Sequence, residues 1–413
     1  MTFDFITPEN SLTPQILSGN LITSLMSDSP LELPRLSLKE RDLRWKKVRS
    51  QMSLRGIDCL IVSGDDSGRA DSGIAHSRFL TCIGGNGEQA FTVFPIEGEP
   101  TCITMATGAW WWGKAQDWVS DIRVGFHRWA ESIAERIKEL KMERGTIGIV
   151  GLKGLFWTDG TIKYTTYENL KKLLPDATLV EATDILEQAQ FTKSEEVIEF
   201  HRKAALLGDY SIEALVKSAR PGVKEYEVYA EMIHAILSNG GEYPPLIIWE
   251  ASKAPHHPAR LPTFRELELG DIIVNEISAK YGGCWAHPHQ PVCVGTSPPR
   301  EYEKMFEVCL ESMKFGLKKL VPGTPFKEVD EAFLSPIEAQ GYASTVIPYQ
   351  GLGLNQTEPL GDVVLEGMVI GVQPWVSNKA GDRGVNIGET YAITSTGPVK
   401  LGKRKEIEFM VAK

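Results

Sequence analysis

The second half of the chain repeats one order of predicted elements. A long helix, KSEEVIEFHRKAALLGDYSIEALVKSA from Lys193, stops at Pro221-Gly222 and is followed by a second helix, KEYEVYAEMIHAIL. The same order recurs 101 residues later around Pro322-Gly323, and β-rich segments follow both copies. Two ααβ units related by a pseudo-two-fold axis predict four helices over one curved antiparallel sheet. Pro-Gly alone is a common helix stop, so the matching order of elements carries this prediction.

A smaller α/β domain is predicted in front of the duplicated part. Ser37 and Glu40 form a capping box that opens a helix, and Gly56 ends this helix before a strand over residues 59–62. Short β-like runs and an amphipathic helix follow; they cover residues 91–94, 101–104, 146–150 and 128–140. The predicted domains are residues 1–187 and 188–413, and the predicted class is α+β.

Composition and charge exclude several classes of function. The 413 residues are 24% charged and 42% hydrophobic with a net charge of −10, which is ordinary for a globular protein. This charge disfavours a nucleic-acid surface, which depends on clustered Lys and Arg. The six cysteines are scattered, no basic leader opens the chain, and no run reaches the roughly 18 apolar residues of a membrane span. We therefore expect a soluble cytoplasmic protein without membrane or nucleic-acid partners.

Four histidines flank one predicted strand. His256, His257, His287 and His289 fall within 34 residues, and Glu276 lies between them. Because the imidazole changes charge near neutral pH, such a cluster beside a carboxylate indicates an acid/base site. For any single histidine, a structural role remains the alternative.

Several ordered motifs resemble the creatinase and aminopeptidase P family (peptidase M24). In chain order they are KSEEVIEFHRKAALLGD, GDIIVNEISAKYGG, YQGLGLNQTEP, EGMVIGVQP and GVNIGETYAIT, together with the two Pro-Gly helix pairs. The resemblance implies a pita-bread catalytic domain, preceded by a creatinase-type N-terminal α/β domain. It also implies a homodimer in which the N-terminal domain reaches the neighbouring active site. Arg69, His76 or Arg78 would then bind a substrate carboxylate there.

The family's metal ligands are almost all replaced in this sequence. The resemblance implies two metal ions held by two aspartates, one histidine and two glutamates, and the matching positions are Glu276, His287, Gln350, Gln373 and Gly388. One carboxylate among five positions does not offset two divalent charges, so we expect no family-type metal pair. A rebuilt mononuclear site of Glu276, His287 and His289 stays open, because two imidazoles and a carboxylate suit zinc.

Creatinase is the metal-free analogue that the resemblance offers. Its catalytic histidine is matched by His256, and its two active-site glutamates are matched by His289 and Gly388, with Glu389 as a displaced substitute for the second. Because these glutamates are absent, creatine itself is doubtful as the substrate.

The sequence thus predicts a metal-independent, cofactor-free hydrolase of an amidine or amide carbon–nitrogen bond in a small polar metabolite. His256 is the predicted acid/base, with Glu276, His287 and His289 as its partners. Residues predicted to bind the substrate are His257, Trp285, Gln350, Glu358, Gln373, Trp375, Glu389 and Arg78. Three alternatives remain: a lyase acting on a cationic metabolite, an Xaa-Pro-type aminopeptidase with a rebuilt metal site, and a non-catalytic binding protein.

Overall fold

The computed structural model describes residues 32–64, 73–85, 87–126, 128–155, 159–244, 247–256, 261–344 and 346–413. Residues 34–413 form one compact unit. None of the helices in these ranges combines the length and apolar character needed to cross a bilayer.

The N-terminal lobe is a mixed sheet flanked by helices. Its elements are α1 (Leu38–Arg55), β1 (Cys59–Val62), α2 (Ala75–Thr81), β2 (Ala90–Pro95), β3 (Thr101–Thr104), α3 (Ala106–Ala115), β4 (Asp121–Val124), α4 (Trp129–Glu139), β5 (Thr146–Val150), α5 (Tyr164–Leu173), β6 (Thr178–Glu181) and α6 (Thr183–Gln190). The strand order is β4-β3-β2-β1-β5-β6. The predicted strands and helices of this lobe are therefore present, and α6 extends three residues past the predicted boundary at residue 187.

Local capping explains where the first long helix begins and ends. The Ser37 side chain accepts a hydrogen bond from the backbone N–H of Glu40, and Gly56 closes the helix in the left-handed conformation at φ 62°. The Glu40 carboxylate does not complete a capping box, because Arg44 binds it at 2.7 Å. Instead Glu196, from the second lobe, accepts the hydrogen bond from the Ser37 backbone N–H at 2.6 Å.

The second lobe contains the duplicated ααβ pattern. Its first half comprises α7 (Glu195–Ser218), α8 (Glu225–Ser238), β7 (Ile247–Ser252), β8 (Ile272–Ile277), β9 (Ala279–Tyr281), β10 (Cys284–Ala286) and β11 (Val292–Val294). The second half comprises α9 (Arg300–Lys319), α10 (Phe326–Ala339), β12 (Tyr349–Gly351), β13 (Val369–Val372), β14 (Trp375–Ser377), β15 (Gly384–Asn386), β16 (Glu389–Thr394) and β17 (Gly397–Lys400), and the last strand is β18 (Met410–Ala412).

The first half supplies three strands of one four-stranded sheet, the second half supplies all four strands of another, and the two sheets meet at the candidate site. The orders are β18-β11-β8-β7 and β12-β13-β16-β17, with β9/β10 and β14/β15 as separate hairpins. All pairs are antiparallel except β11 with β18, where the last strand joins the edge of the first half's sheet. An isolated antiparallel bridge between His289 and Gly388 links the halves.

Buried apolar residues lie between the helices and sheets of each half. One cluster packs α7 and α8 against β7 and β8 around Trp249 and Met232. The other packs α9 and α10 against β13 and β16 around Phe333 and Ile370. The polar residues of the candidate site lie outside these apolar clusters, at the join between the two halves.

Candidate active site

Glu276, His287 and His289 come together at the join between the two halves. Glu276 lies on β8, and the two histidines follow β10. One nitrogen or oxygen atom from each residue lies within 4.8 Å of the others. His287 Nε2 is 3.8 Å from Glu276 Oε2, and the two imidazole rings are edge to face with centroids 4.3 Å apart. Two imidazoles and one carboxylate therefore share one small volume, which we call the histidine–glutamate cluster.

His287 is held through its Nδ1 atom and its backbone. Nδ1 lies 3.1 Å from Ser278 Oγ and 3.5 Å from Gln356 Nε2. Its backbone N–H donates to Thr390 Oγ1 at 2.9 Å. Nε2 is buried and has no hydrogen-bond partner among the described residues. The ring is thus fixed from behind while its other nitrogen faces the cluster.

His289 is held in the same way by an asparagine. Nδ1 lies 2.8 Å from Nδ2 of Asn386, at the end of β15. Its backbone pairs with Gly388 in both directions, at 3.1 and 3.2 Å. Nε2 is again buried without a partner in the part of the chain that the structure describes. Both histidines therefore keep an uncommitted Nε2 in the cluster.

The two imidazoles are neutral near pH 7. Burial lowers the pKa of His287 to about 4, and the nearby Gln373 side chain opposes this change. Burial also lowers the pKa of His289 well below its usual value, and the neighbouring His287 imidazole and the Arg404 guanidinium lower it further. The cluster consequently offers neutral imidazole groups rather than imidazolium cations.

Gln350 and Gln373 are bonded to one another. Gln373 Nε2 donates to Gln350 Oε1 at 3.3 Å and to Ile347 O at 3.2 Å. Gln350 Nε2 donates to the backbone oxygen of Gln356 at 2.8 Å, which ties the pair to the residue beside His287. Gln373 Oε1 is buried and has no partner among the described residues. That oxygen lies near His287, because the Gln373 side chain raises the pKa of that imidazole.

The five family positions do not fit two divalent metal ions. Glu276 is the only carboxylate among them, Gly388 has no side chain, and Gln350 and Gln373 use amide groups to bind each other. A Cβ atom at position 388 would lie 2.6 Å from Cγ of His289, so the imidazole occupies space that a longer side chain would need. The donor set lacks the anionic oxygens that a pair of divalent ions requires.

His256 contacts a different set of residues. Its Nε2 lies 3.4 Å from Ser377 Oγ, and its backbone N–H donates to Glu250 Oε2 at 3.1 Å. Trp375 Nε1 donates to the same Ser377 hydroxyl at 3.1 Å. The structure thus brings His256 and Trp375 together at Ser377, and the acid/base role of His256 remains a prediction. His257 and Arg69 lie outside the described residues.

The two tryptophans predicted to bind the substrate are buried within the protein. Trp285 is fully buried, and its Nε1 donates to Leu354 O at 3.3 Å. Lys280 Nζ already lies 5.4 Å from the centroid of the Trp285 ring. Trp375 is also buried, at 1% exposure. Because Lys280 already places its ammonium group over the Trp285 ring, these contacts do not support substrate binding on that ring.

Glu389 is paired away from the cluster. Its Oε1 lies 2.8 Å from Arg404 Nη2 and 3.9 Å from Lys400 Nζ. Burial raises the pKa of Glu389, while Arg404 and Lys400 oppose this change. Side chains alternate along a strand, so when position 388 faces His289 the next residue faces the other way. The predicted displacement of Glu389 into the pocket is therefore not observed.

Two other charged candidates also have partners within the chain. Glu358 Oε2 lies 2.5 Å from Lys193 Nζ, and both side chains are buried. Arg78 makes a bidentate pair with Glu242, with distances of 2.8 and 3.0 Å. Arg78 therefore binds a carboxylate of its own chain, and its role toward a neighbouring subunit's substrate stays a prediction. His76, the other candidate of that loop, is buried, and its Nδ1 contacts Gln190 Nε2 at 2.9 Å.

Four residues that hold the two histidines were not predicted from the sequence. They are Ser278, Gln356, Asn386 and Thr390. All four lie inside the quoted motifs, within a few residues of the matched positions. That proximity was the available signal, but polar residues of this type are also common at strand ends.

Comparisons with known proteins agree with this architecture. The family model described as "Metallopeptidase family M24" matches residues 199–395, and the one described as "Creatinase/Prolidase N-terminal domain" matches residues 44–190. The two models divide the chain between α6 and α7. The predicted creatinase-type N-terminal domain and pita-bread domain are confirmed.

Similar proteins are peptidases by name. The Xaa-Pro dipeptidase of Pyrococcus furiosus is 27% identical over 282 residues, which cover 65% of this chain and 77% of that protein. The uncharacterized peptidase YqhT of Bacillus subtilis is 24% identical over 367 residues, covering 86% and 96%. The structure of the Xaa-Pro dipeptidase from Bacillus anthracis superposes with a TM-score of 0.75 at 20% identity, covering 90% of this chain and 99% of that one.

Proposed function

Because this chain belongs to the creatinase and aminopeptidase P family of hydrolases, metallopeptidase family M24, we propose that it hydrolyses an amide or amidine carbon–nitrogen bond. The substrate is a small, polar, nitrogen-containing metabolite, and the reaction proceeds without the family's two metal ions. One observation carries the proposal: two buried neutral imidazoles, each held at Nδ1, leave Nε2 unpartnered beside a single carboxylate.

Glu276 is the proposed base of this reaction. Its side chain is 14% exposed, whereas the adjacent His287 side chain is 1% exposed, so Glu276 is more accessible to solvent than that imidazole. Glu276 takes a proton from a water molecule as the water oxygen bonds to the substrate carbon. When the carbon–nitrogen bond breaks, Glu276 returns that proton to the leaving nitrogen. The same carboxylate therefore removes one proton and returns it.

The imidazoles stabilise the charge that develops during the attack. A neutral imidazole that carries its proton on Nε2 donates a hydrogen bond to the oxygen or nitrogen atom where electron density accumulates. Low pKa values suit this role, because a neutral donor lowers the barrier without requiring a buried cation. His289 is the proposed donor. The His287 ring packs against it edge to face, with 4.3 Å between the ring centroids, and helps to hold it in place.

Gln373 is the proposed orienting group. Its Nε2 donates to Gln350 and Ile347, so the group it turns toward His287 is Oε1. An amide oxygen accepts hydrogen bonds from N–H groups. This favours substrates that carry an N–H beside the bond to be broken, which is the shared feature of amides and amidines.

Hydrolysis in oxygen-18 water tests the proposal. Guanidino compounds, cyclic amidines and N-acyl amino acids are incubated with the purified protein, and the products are identified by mass spectrometry. We expect one oxygen-18 atom at the carbon that loses nitrogen. The variant E276Q should lower kcat by about 10²–10⁴-fold. E338Q, at an exposed position on α10, is the matched control and should leave kcat unchanged.

Three results would contradict the proposal in different ways. An unsaturated product without oxygen-18 would identify a lyase. Cleavage of an Xaa-Pro dipeptide that depends on added manganese or cobalt would identify a metallopeptidase. Ligand binding with no turnover of any compound in wild-type protein would indicate a binding protein.

A further inference from the structure

Asn386 makes two hydrogen bonds through the same nitrogen atom. Its Nδ2 donates to the backbone oxygen of Asn275 at 3.0 Å and lies 2.8 Å from Nδ1 of His289. Both asparagines are completely buried. A primary amide nitrogen has two hydrogens, so it serves both contacts as a donor.

The backbone of Asn275 fixes which way the Asn386 amide points. A carbonyl oxygen only accepts, so an amide oxygen in the same place would bring two acceptors together. Asn275 is itself anchored, because its side chain donates to Gln290 O at 2.7 Å and accepts from Gln290 N–H at 3.2 Å. The nitrogen of Asn386 therefore faces His289, and Nδ1 of His289 is an acceptor.

The ring of His289 is held in this orientation from its other side. At Gly388, a Cβ atom would lie 2.6 Å from Cγ and 2.8 Å from Cδ2 of the imidazole, so the ring rests against the glycine backbone. Turning the ring over would exchange Nδ1 with Cδ2 and break the bond to Asn386. Contacts on both sides thus select one ring orientation.

We propose that Asn386 is a positioning residue that keeps the proton of neutral His289 on Nε2. In a neutral imidazole, a nitrogen that accepts a hydrogen bond carries the lone pair, so the proton resides on the other nitrogen. His289 then presents an N–H to the histidine–glutamate cluster. The catalytic significance of this proton rests on the proposed function, whereas its location does not.

The position of the His289 proton also determines whether Glu276, His287 and His289 can bind a metal ion. Coordination through Nε2 requires the lone pair at that atom, and the partner of Nδ1 decides whether it is available. Histidine ligands of metals usually donate from the second nitrogen to a carboxylate or carbonyl oxygen. Asn386 donates instead of accepting, so Glu276, His287 and His289 do not form a zinc site in the wild-type protein.

Nitrogen-15 NMR of the imidazoles locates the proton directly. Full-length protein labelled at histidine is recorded at pH 7, and the His289 signals are assigned from the spectrum of H289Q. We expect a protonated Nε2 and an unprotonated Nδ1 for His289. The variant N386D replaces the donor with an acceptor, so the proton should move to Nδ1. N239D, at an exposed asparagine on the C-terminal side of α8, is the matched control.

Zinc binding and turnover complete the test. Calorimetry with zinc chloride should show no binding at this site in wild-type protein and one ion per chain in N386D.

Protonated Nδ1 in the wild-type spectrum would overturn the inference, and so would zinc binding to wild type that H289Q abolishes. An unchanged tautomer in folded N386D would also overturn it. If N386D does not fold, the wild-type spectrum alone decides. The expected tautomer together with full activity of E276Q would refute the proposed function alone.

Discussion

Gly388 and His289 fit together only because the first has no side chain. A Cβ atom at position 388 would lie 2.6 Å from Cγ of the imidazole, closer than two carbon atoms approach without strain. The backbones of the two residues also pair in both directions. The missing glutamate of the family position and the added imidazole therefore depend on each other.

We expect G388A to lower the free energy of unfolding by about 1–3 kcal/mol, because the added methyl group overpacks the imidazole. Urea unfolding followed by fluorescence measures this change. Gly113 is the matched control: it lies exposed in α3, and a Cβ atom there meets no other atom within 4 Å. G113A should be neutral or stabilising by up to about 1 kcal/mol. Equal effects at the two glycines would contradict this account of position 388.

Alanine substitutions test whether kcat depends on His289 of the histidine–glutamate cluster or on His256. We expect H289A to lower kcat by about 10²-fold or more, since it removes a buried hydrogen-bond donor from the reacting atoms. H256A should lower kcat by less than about 10-fold, because its ring contacts Ser377 outside the histidine–glutamate cluster. Steady-state kinetics on the identified substrate provides the comparison. H234A, at an exposed position on α8, is the control. A loss for H256A as large as that for E276Q would support the original acid/base prediction for His256.

The pair of Arg78 and Glu242 should make stability depend on acid pH. Partial burial opposes ionisation, but Arg78 and Lys280 lower the pKa of Glu242 to about 2. Since this pKa lies below the value of the unfolded chain, the pair stabilises the fold above about pH 4.5. On the order of 3 kcal/mol should be lost as the pH falls from there toward 2.

Denaturant unfolding of wild type and E242Q at several pH values measures the contribution of Glu242. The difference between the two proteins should be largest near neutral pH and should shrink between pH 4.5 and 2. E338Q supplies the comparison with an exposed glutamate. A difference that stays constant over this range would rule out the ionised pair as its source.

E389Q should affect stability more than catalysis. The substitution weakens a buried pair with Arg404, so we expect a loss of about 1–3 kcal/mol in the free energy of unfolding. Because Glu389 faces away from the histidine–glutamate cluster, KM and kcat should stay within about two-fold of wild type. Kinetics well below the unfolding temperature checks this. A large rise in KM would instead restore Glu389 as a substrate-binding residue.

Local patterns in the sequence were sufficient to predict the fold. The two Pro-Gly stops, at residues 221–222 and 322–323, separate the helix pairs as predicted, and strands follow each pair. Ser37 and Gly56 mark both ends of the first helix because capping depends on nearby residues. The motif order also located Glu276, His287 and His289, which the structure places together.

The partners of individual side chains could not be predicted in the same way. Asn386 binds a histidine 97 residues away, and Arg78 binds a glutamate 164 residues away. Hydrophobic periodicity identifies a buried face, but it carries no information about which distant polar group lies opposite. Glu389 illustrates this, because its neighbour faces the cluster while its own carboxylate faces Arg404. Metal independence, the homodimer and the cytoplasmic location remain predictions.

The histidine–glutamate cluster lies on the seam between two structural repeats. Hydrogen bonds cross this seam from His287 to Thr390 and from Trp285 to Gly353. The apolar core of the second repeat also includes Ile272 and Val274 from the first repeat's sheet, so the polar contacts at the seam can loosen on warming while this core stays intact. Such loosening would lengthen the contact between Asn386 and His289. Turnover should consequently fade at temperatures where circular dichroism still reports an intact chain.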